Sequence, residues 1–328
     1  MRAIEARQPG GPEVLTLTDR QSPSPQPGQV LVRTAAIGVN FYDTYVRGGI
    51  YDGAFPLVPG SEGAGEVIAV GTEVEDIAVG DRVAWASSHT GSYAELVLLR
   101  ATDALPVPEA MDLKSAGALP LQGMTAHMLV DGVFDVRPGQ DVLLTAGAGG
   151  VGLLLTQLAV ARGARVITTV STAEKEQLSR AAGASEVIRY TELDDLTSEL
   201  PEIVRTLTGG RGVHVAYDGV GKDTFDATLA SVRERGMLVL FGGASGQVPP
   251  FDLQRLNRSG SLFVTRPSLG PYTATRKELT YRAGAVFDAA LRSELQVRIG
   301  ATFPLEEAAD AHRALEGRGT TGKVLLLP

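Results

Sequence analysis

Hydrophobic and polar positions follow two different rhythms along the 328 residues. In the first third, short runs rich in Val, Ile, Leu and Tyr recur at 14–18, 30–37, 66–70, 81–86 and 93–99, and residues 1–5 also begin like a strand. Turns rich in Pro, Gly and Asp separate them, such as Pro-Ser-Pro-Gln-Pro-Gly at 23–28. This punctuation predicts a small, mostly antiparallel β domain. From Asp112 the spacing turns helical, and from Asp141 buried-type strands at 142–145, 166–170, 186–188, 213–217 and 237–241 alternate with helices. Such alternation predicts a parallel sheet with right-handed crossovers. A further strand at 261–265, a long helix at 276–293 and a terminal strand at 323–327 complete the pattern, with the last segment returning to the first domain. No internal repeat or low-complexity tract interrupts it.

The junction at 141–155, Asp-Val-Leu-Leu-Thr-Ala-Gly-Ala-Gly-Gly-Val-Gly-Leu-Leu-Leu, sets a buried-type strand before a glycine loop that opens onto a helix. Gly147, Gly149 and Gly152 satisfy Gly-x-Gly-x-x-Gly, the spacing of a loop that turns tightly, lets its backbone approach a pyrophosphate and packs helix on strand. Gly150 and Val151 lie between them, at the helix start whose free N–H groups meet an anion. In a chain with 39 glycines the pattern alone is weak, but its context strengthens it. Val151, Leu154, Leu155, Leu158 and Ala159 form one apolar helix face. The strand at 165–170 then completes a βαβ unit of about 30 residues. A glycine turn without a ligand is the alternative.

Dinucleotide sites that prefer NAD usually carry Asp or Glu about 20 residues beyond the glycines, bonded to the ribose 2′-hydroxyl. Here 168–175 reads Thr-Thr-Val-Ser-Thr-Ala-Glu-Lys, and no acid closes the strand. A 2′-phosphate would be repelled by a carboxylate and stabilised by the hydroxyls of Ser171 and Thr172, a helix start and the Lys175 ammonium. NADPH is therefore the expected cofactor, a solvated surface lysine being the other reading of Lys175.

An apolar content of 44% and a net charge of −8 describe a globular chain without the basic stripe of a nucleic-acid binder. No apolar run reaches transmembrane length, and the N-terminus does not read as a leader, so the expected location is cytoplasmic. Cysteine is absent, which removes disulfides, thiolate nucleophiles and cysteine-bound metal.

With these features assembled, the chain resembles the zinc-independent quinone oxidoreductases of the medium-chain dehydrogenase/reductase superfamily. The likeness rests on Gly-Val-Asn-Phe-Tyr-Asp-Thr-Tyr-Val-Arg-Gly-Gly at 38–49, Pro-Gly-Ser-Glu-Gly-Ala-Gly at 59–65, Val-Gly-Asp-Arg-Val at 79–83 and Leu-Gln-Gly-Met-Thr at 121–125. Further along, Ala-Gly-Gly-Val-Gly at 148–152, Tyr-Asp-Gly-Val-Gly at 217–221 and Val-Thr-Arg-Pro-Ser-Leu at 264–269 extend it nearly end to end. The resemblance implies an α/β fold: a GroES-like, mostly antiparallel β domain over 1–122, completed by 266–328, and a Rossmann-type NADPH domain over 123–265. It also implies an active-site cleft between them and a homodimer, with the strand at 261–265 pairing at a sheet edge.

Zinc-dependent members of the superfamily hold metal with Cys, His and Glu. Asn40 stands at the place of their first cysteine, and Ser61 replaces the histidine before Glu62. His89, His127, His214 and His312 show no ligand spacing and read as surface or packing residues, so metal-free chemistry is expected. A quinone accepts hydride without a Lewis acid, whereas alcohol oxidation needs a strong base or a metal. The protein's task is then to hold nicotinamide C4 about 3–3.5 Å from the acceptor.

By the same resemblance Asn40 and Thr125 line the nicotinamide and ribose end, and Tyr45 and Tyr51 stand near the acceptor, with aromatic packing as their alternative role. Ser171, Thr172, Lys175 and Tyr190 match NADPH contacts at the adenosine end. Phe241 with Gly242, and Thr265 with Arg266, match contacts to the nicotinamide half, Arg266 alternatively serving a domain interface. Lys323 is a further expected cofactor contact. Asp43 and Glu62 are candidate acids, or members of structural pairs with Arg47 or another cation. The implied activity is NADPH-dependent quinone reduction. Reduction of an enone or enoyl double bond, or NADPH binding without catalysis, are the alternatives.

Overall fold

A computed structural model describes all 328 residues. The chain begins with β1 (Arg2–Ala6), β2 (Leu15–Asp19), β3 (Gln29–Val39), α1 (Phe41–Arg47), β4 (Glu62–Val70), β5 (Arg82–Trp85), β6 (Leu96–Arg100), β7 (Leu105–Pro106), α2 (Leu113–Ala118) and α3 (Pro120–Met128). Strands and helices then alternate through β8 (Asp141–Leu144), α4 (Gly150–Ala161), β9 (Arg165–Val170), α5 (Ala173–Ala181), β10 (Glu186–Arg189), α6 (Leu196–Leu207), β11 (Val213–Asp218), α7 (Phe225–Ala230), β12 (Val232–Leu240), α8 (Gln254–Arg258) and β13 (Phe263–Thr265). The final elements are α9 (Arg276–Leu291), β14 (Ile299–Pro304), α10 (Ala308–Glu316) and β15 (Lys323–Leu327). Two compact units result, Met1–Met124 with Thr273–Pro328, and Thr125–Tyr272.

In the first unit the seven-stranded sheet runs β14-β15-β3-β4-β5-β7, with β6 also on β3, while β1 and β2 form a separate pair. All pairings are antiparallel except β14 with β15. Two apolar clusters cover this framework. Val32, Val67, Val83 and Val97 pack with Trp85 in one, and Ile4, Ile37, Val39 and Leu326 pack with Ala308, Ala311 and Leu315 of α10 in the other. The glycines of β4 permit its close approach to β3, since a Cβ on Gly65 would collide with the Arg33 carbonyl.

Several elements differ from the sequence expectation. Strand β4 starts at Glu62, not at 66, because Gly63, Ala64 and Gly65 carry little hydrophobic signal yet pair fully with β3. Tyr93 precedes β6; its N–H bonds Pro59 O and its carbonyl accepts from Ile4 N, so it belongs to a turn held by other segments. Helix α10 buries Ala308, Ala311, His312 and Leu315, a face with a single large apolar side chain and so little periodic signal.

The second unit is a six-stranded sheet in the order β10-β9-β8-β11-β12-β13, and every pairing is parallel. This is the doubly wound arrangement, with its topological switch between the neighbours β8 and β11. All four residues of β8 are buried, as a central parallel strand requires. Leu143, Ile167, Val213, Leu238 and Leu240 form the core on one face with Leu200 and Val204 of α6.

Candidate functional site

Ligands of doubly wound sheets bind beyond the carboxyl ends of the strands, and most of the expected nucleotide-site residues lie at that edge of the second unit. The glycine loop follows β8, Ser171 follows β9, Phe241 and Gly242 follow β12, and Thr265 ends β13 with Arg266 beyond it. The three loop glycines have separable reasons. A Cβ on Gly147 would come 2.6 Å from the Thr168 Cβ on β9, and one on Gly152 would collide with the Ala146 carbonyl, so both are required by the protein's own packing. At Gly149 the nearest atom to a Cβ would be Ala146 O at 3.2 Å, with nothing else within 4 Å. Gly149, Gly150 and Val151 are also partly exposed. Backbone there can approach a ligand closely, and α4 starts at Gly150 with the free N–H groups of its first turn. Ala146 takes a positive φ of 54°, which turns the chain out of the strand and into the loop.

At the end of β9, Thr172 caps α5 by accepting the Lys175 N–H at 3.2 Å, and Lys175 Nζ donates to Ser171 Oγ at 3.2 Å. Thr191 Oγ1 donates to Ser171 O at 2.8 Å, which ties the turn holding Tyr190 to the same place. The neighbouring Glu176 is neutralised by Arg180 and Arg189. The structure thus gathers a hydroxyl, a capped helix start, an ammonium and an aromatic residue, with no acid closing the strand: the donor set that suits a phosphate monoester.

Asp218, at the end of β11, organises this edge. Its buried carboxylate accepts from Thr145, Thr224 and Thr228 hydroxyls at 2.7–3.1 Å, and from the Val220 and Gly221 N–H groups at 2.8 and 3.1 Å. Its backbone carbonyl accepts from the N–H groups of Phe241 and Gly242. One residue therefore fixes the loops after β8, β11 and β12. An Asp followed by Gly-x-Gly at a strand end was the available signal.

In the first unit, strand register brings three distant residues together. Gly38 on β3 pairs with Glu62 on β4, and Val39 pairs with Val324 on β15. Asn40 directly follows β3 and Lys323 is the first residue of β15, so Glu62, Asn40 and Lys323 converge. Lys323 Nζ is fully buried; it donates to Asn40 Oδ1 at 2.9 Å and forms a short ion pair with Glu62 Oε1. Glu62 also accepts from Asn40 Nδ2 at 2.8 Å and from Leu121 N at 2.7 Å, and Gln122 Nε2 donates to Asn40 Oδ1 at 3.1 Å. Gly38 makes room, because a Cβ there would collide with the Glu62 carboxylate. Burial pulls the Lys323 ammonium below its ordinary value, against the opposing charge of Asp43. Lys323, expected as a cofactor contact, spends two of its three donors on Glu62 and Asn40 within the protein.

A second buried chain runs through α1 and α10. Asp43 accepts from Ser61 Oγ at 2.9 Å, Asn40 N at 2.9 Å and Tyr93 Oη at 3.3 Å. Arg47 NH1 donates to His312 Nδ1 at 2.9 Å, which places the ring proton on Nε2, 2.8 Å from Tyr93 Oη. Arg47 also pairs with Glu316 at 2.6 Å. Asp43 is therefore not an Arg47 partner. Burial raises its pKa to about 6, opposed by the bonds from Ser61 and Asn40 N, the Lys323 charge and the Tyr93 bond. Burial and the Arg47 charge depress His312 to about 3.

Tyr45 and Tyr51 meet edge to face at 5.4 Å, and Tyr42, unanticipated, lies 5.7 Å from Tyr51 with half its surface exposed. Its i, i+3 spacing to Tyr45 on α1 was the missed signal. Thr125 lies on α3 in the second unit, half-buried. No three or more His, Asp or Glu side chains converge as a metal-holding group.

Comparison with known proteins places these features in context. The sequence model described as alcohol dehydrogenase GroES-like domain matches residues 26–109, and the one described as zinc-binding dehydrogenase matches 150–276. A quinone oxidoreductase of Pseudomonas aeruginosa is 44% identical over 97% of both chains. The chain belongs to the quinone oxidoreductase family of the medium-chain dehydrogenase/reductase superfamily. Within the superfamily it is also similar to a 2-haloacrylate reductase of a Burkholderia species, 41% identical over 97% of this chain and 96% of the other. The structure of mycobacterial Rv1454c complexed with NADPH superposes with a TM-score of 0.97 at 49% identity, covering both chains fully. The GroES-like and Rossmann-type folds expected from the family are both present.

Proposed function

We propose that the chain is an NADPH-dependent reductase of small, flat quinones. The observation that carries this reading is the Ser171–Thr172–Lys175 cluster beside the glycine loop, joined to the family relationship. NADPH would supply a hydride from its nicotinamide ring. The backbone at Gly147, Gly149, Gly150, Val151 and Gly152 would receive the pyrophosphate, while Ser171, Thr172 and Lys175 hold the 2′-phosphate and Tyr190 flanks the adenosine. Phe241, Gly242, Thr265 and Arg266 would position the nicotinamide half, with Asn40 and Thr125. Tyr45 and Tyr51, extended by exposed Tyr42, offer ring faces to stack an acceptor and hydroxyls to bond its oxygen.

The donor set supports metal-free transfer: there is no cysteine, and the one buried cation beside Glu62 is an ammonium group. No helix is long and apolar enough to cross a membrane. We also propose a cytoplasmic homodimer joined at the sheet edge formed by β13, where Phe263 is 57% exposed.

The similarity to a 2-haloacrylate reductase favours a second substrate class, activated alkenes. Steady-state oxidation of NADPH and NADH with 1,4-benzoquinone, 2-chloroacrylate and a simple enone tests both. The expected result is turnover of NADPH with the quinone and much weaker use of NADH. Preference for NADH, or turnover confined to the alkenes, overturns the reading.

A further inference from the structure

The hydroxyls and ammonium gathered at the end of β9 stand beside an acid of the same helix. Glu176 follows Thr172 by one helical turn, its N–H on the Thr172 carbonyl at 3.0 Å, so the two side chains share a face of α5. Exposed Glu174 is turned about 200° around the helix from that face. A carboxylate at the position of Glu176 suits a helix start, yet it repels a phosphate monoester, which carries about 1.5 to 2 negative charges at neutral pH. Both of its oxygens are engaged. Arg180 Nε lies 2.9 Å from Oε1, and Arg189 Nε lies 3.1 Å from Oε2.

The two arginines are not equivalent. Arg180 comes from the same helix, four residues on, where an exposed pair is weakly held. Arg189 ends β10, opposite Val170 of β9, and its planar guanidinium bridges two elements: Glu176 on α5, and Glu192 in the turn at 190–192, 2.7 Å from NH1. The same turn carries Tyr190 and is tied to Ser171 through the Thr191 hydroxyl. Arg189 thus holds the Glu176 carboxylate toward the edge strand of the sheet. We propose that Arg189 is a positioning residue that determines coenzyme specificity: by pairing with Glu176 it cancels the one acid on the Thr172 face of α5, so that the site admits a phosphorylated ribose. In this role it makes no bond to the nucleotide. The inference rests on the reading of Ser171, Thr172 and Lys175 as a 2′-phosphate site, and it names the residue that keeps a neighbouring acid from opposing that site.

Titration of the full chain with NADPH and with NADH, followed by fluorescence of the reduced nucleotide, reads binding without turnover. The side chains of Arg189 and Glu176 are 37% and 23% exposed, so their substitution leaves the core of the unit intact. Arg189→Gln should weaken NADPH about 3- to 10-fold at low ionic strength, the effect of an unopposed charge near a phosphate in water, and should leave NADH within about 2-fold. Sodium chloride at about 0.5 M should remove most of that loss. Glu176→Gln should bind NADPH at least as tightly as the wild type. In the Glu176→Gln background, Arg189→Gln should weaken NADPH by about 2-fold or less, the remainder arising from Glu192.

An equal loss for NADPH and NADH would make Arg189 a support of the Tyr190 turn alone and overturn the proposal. A loss that persists undiminished in the Glu176→Gln background is the mark of a direct bond from Arg189 to the phosphate, and it overturns the proposal as well. Unchanged NADPH binding by Arg189→Gln does the same while leaving the 2′-phosphate site standing. A wild-type protein that binds NADH as tightly as NADPH refutes that site itself, and the proposal with it.

Discussion

His312 gives the sharpest quantitative test, because it is buried and neutral in the folded protein but free to ionise when the chain unfolds. Its pKa falls from the ordinary 6.5 to about 3, through burial and the adjacent Arg47 charge. The folded value is the lower one, so between these limits the unfolded chain binds the extra proton. The stabilisation is complete above pH 6.5 and is lost as the pH falls toward 3. At 1.36 kcal/mol per pH unit the full loss is about 5 kcal/mol, of which roughly 2.5 kcal/mol falls between pH 6.5 and 4.5. Asp43 acts with the opposite sign: raised to about 6, it gains stability from acidification between that value and 3.8.

The Asp43 contribution cancels when the wild type is compared with His312→Gln, whose amide can still accept from Arg47 and donate to Tyr93. Urea unfolding at pH 7.5, 6.5, 5.5 and 4.5, followed by emission of Trp85, reports the unit concerned, since this is the single tryptophan and it is fully buried there. The wild type should lose about 1.4 kcal/mol per pH unit more than the variant below pH 6.5. Parallel pH profiles for the two proteins would refute the assignment of a neutral, buried imidazole.

Three further outcomes are expected. Lys175→Glu should raise the NADPH KM by about 10-fold or more through loss of a charge-assisted bond worth about 1.5–3 kcal/mol, with a smaller effect on kcat; an equal loss for NADH would remove the 2′-phosphate from the explanation. Asp218→Asn replaces a carboxylate oxygen with an N–H₂ group among the Thr145, Thr224 and Thr228 hydroxyls, and calorimetry should show a loss of about 2–4 kcal/mol. An unchanged melting profile would contradict that role. Gly38→Ala puts a methyl group into the space of the Glu62 carboxylate and should cost about 1–3 kcal/mol, read as a lower Tm; a neutral result would mean that the cluster can shift.

The nucleotide loop was legible in the sequence because everything it needs is local. A strand, three glycines and an apolar helix face lie within 20 residues, and the hydroxyl and lysine cluster follows at the end of the next strand. The polar cluster of the first unit was not legible in the same way. Asn40, Glu62 and Lys323 meet only because β15 pairs with β3 in one register, and no local pattern states that register. From the sequence, Asp43 and Glu62 therefore read as acids or as partners of Arg47 or another cation, with no partner fixed. The structure pairs Glu62 with lysine, holds Asp43 with Ser61, Asn40 and Tyr93, and sends Arg47 to Glu316. Tyr42 escaped notice because a tyrosine on a short helix looks the same in sequence whether packed or exposed.

Strand β15 lies between β14 and β3, and it carries the cation for a carboxylate encoded 261 residues earlier. The second unit is one unbroken stretch, Thr125–Tyr272, so a nascent chain holds all of its strands before the first unit can close its sheet. Until the last strand leaves the ribosome, Glu62 has no ammonium partner and β3 has an uncovered edge. The order of synthesis thus completes the Rossmann-type unit before the GroES-like one. A premature stop between residues 272 and 323 would release a protein with all the strands of the Rossmann-type unit and an unfinished neighbour, open to pairing with other chains along β3.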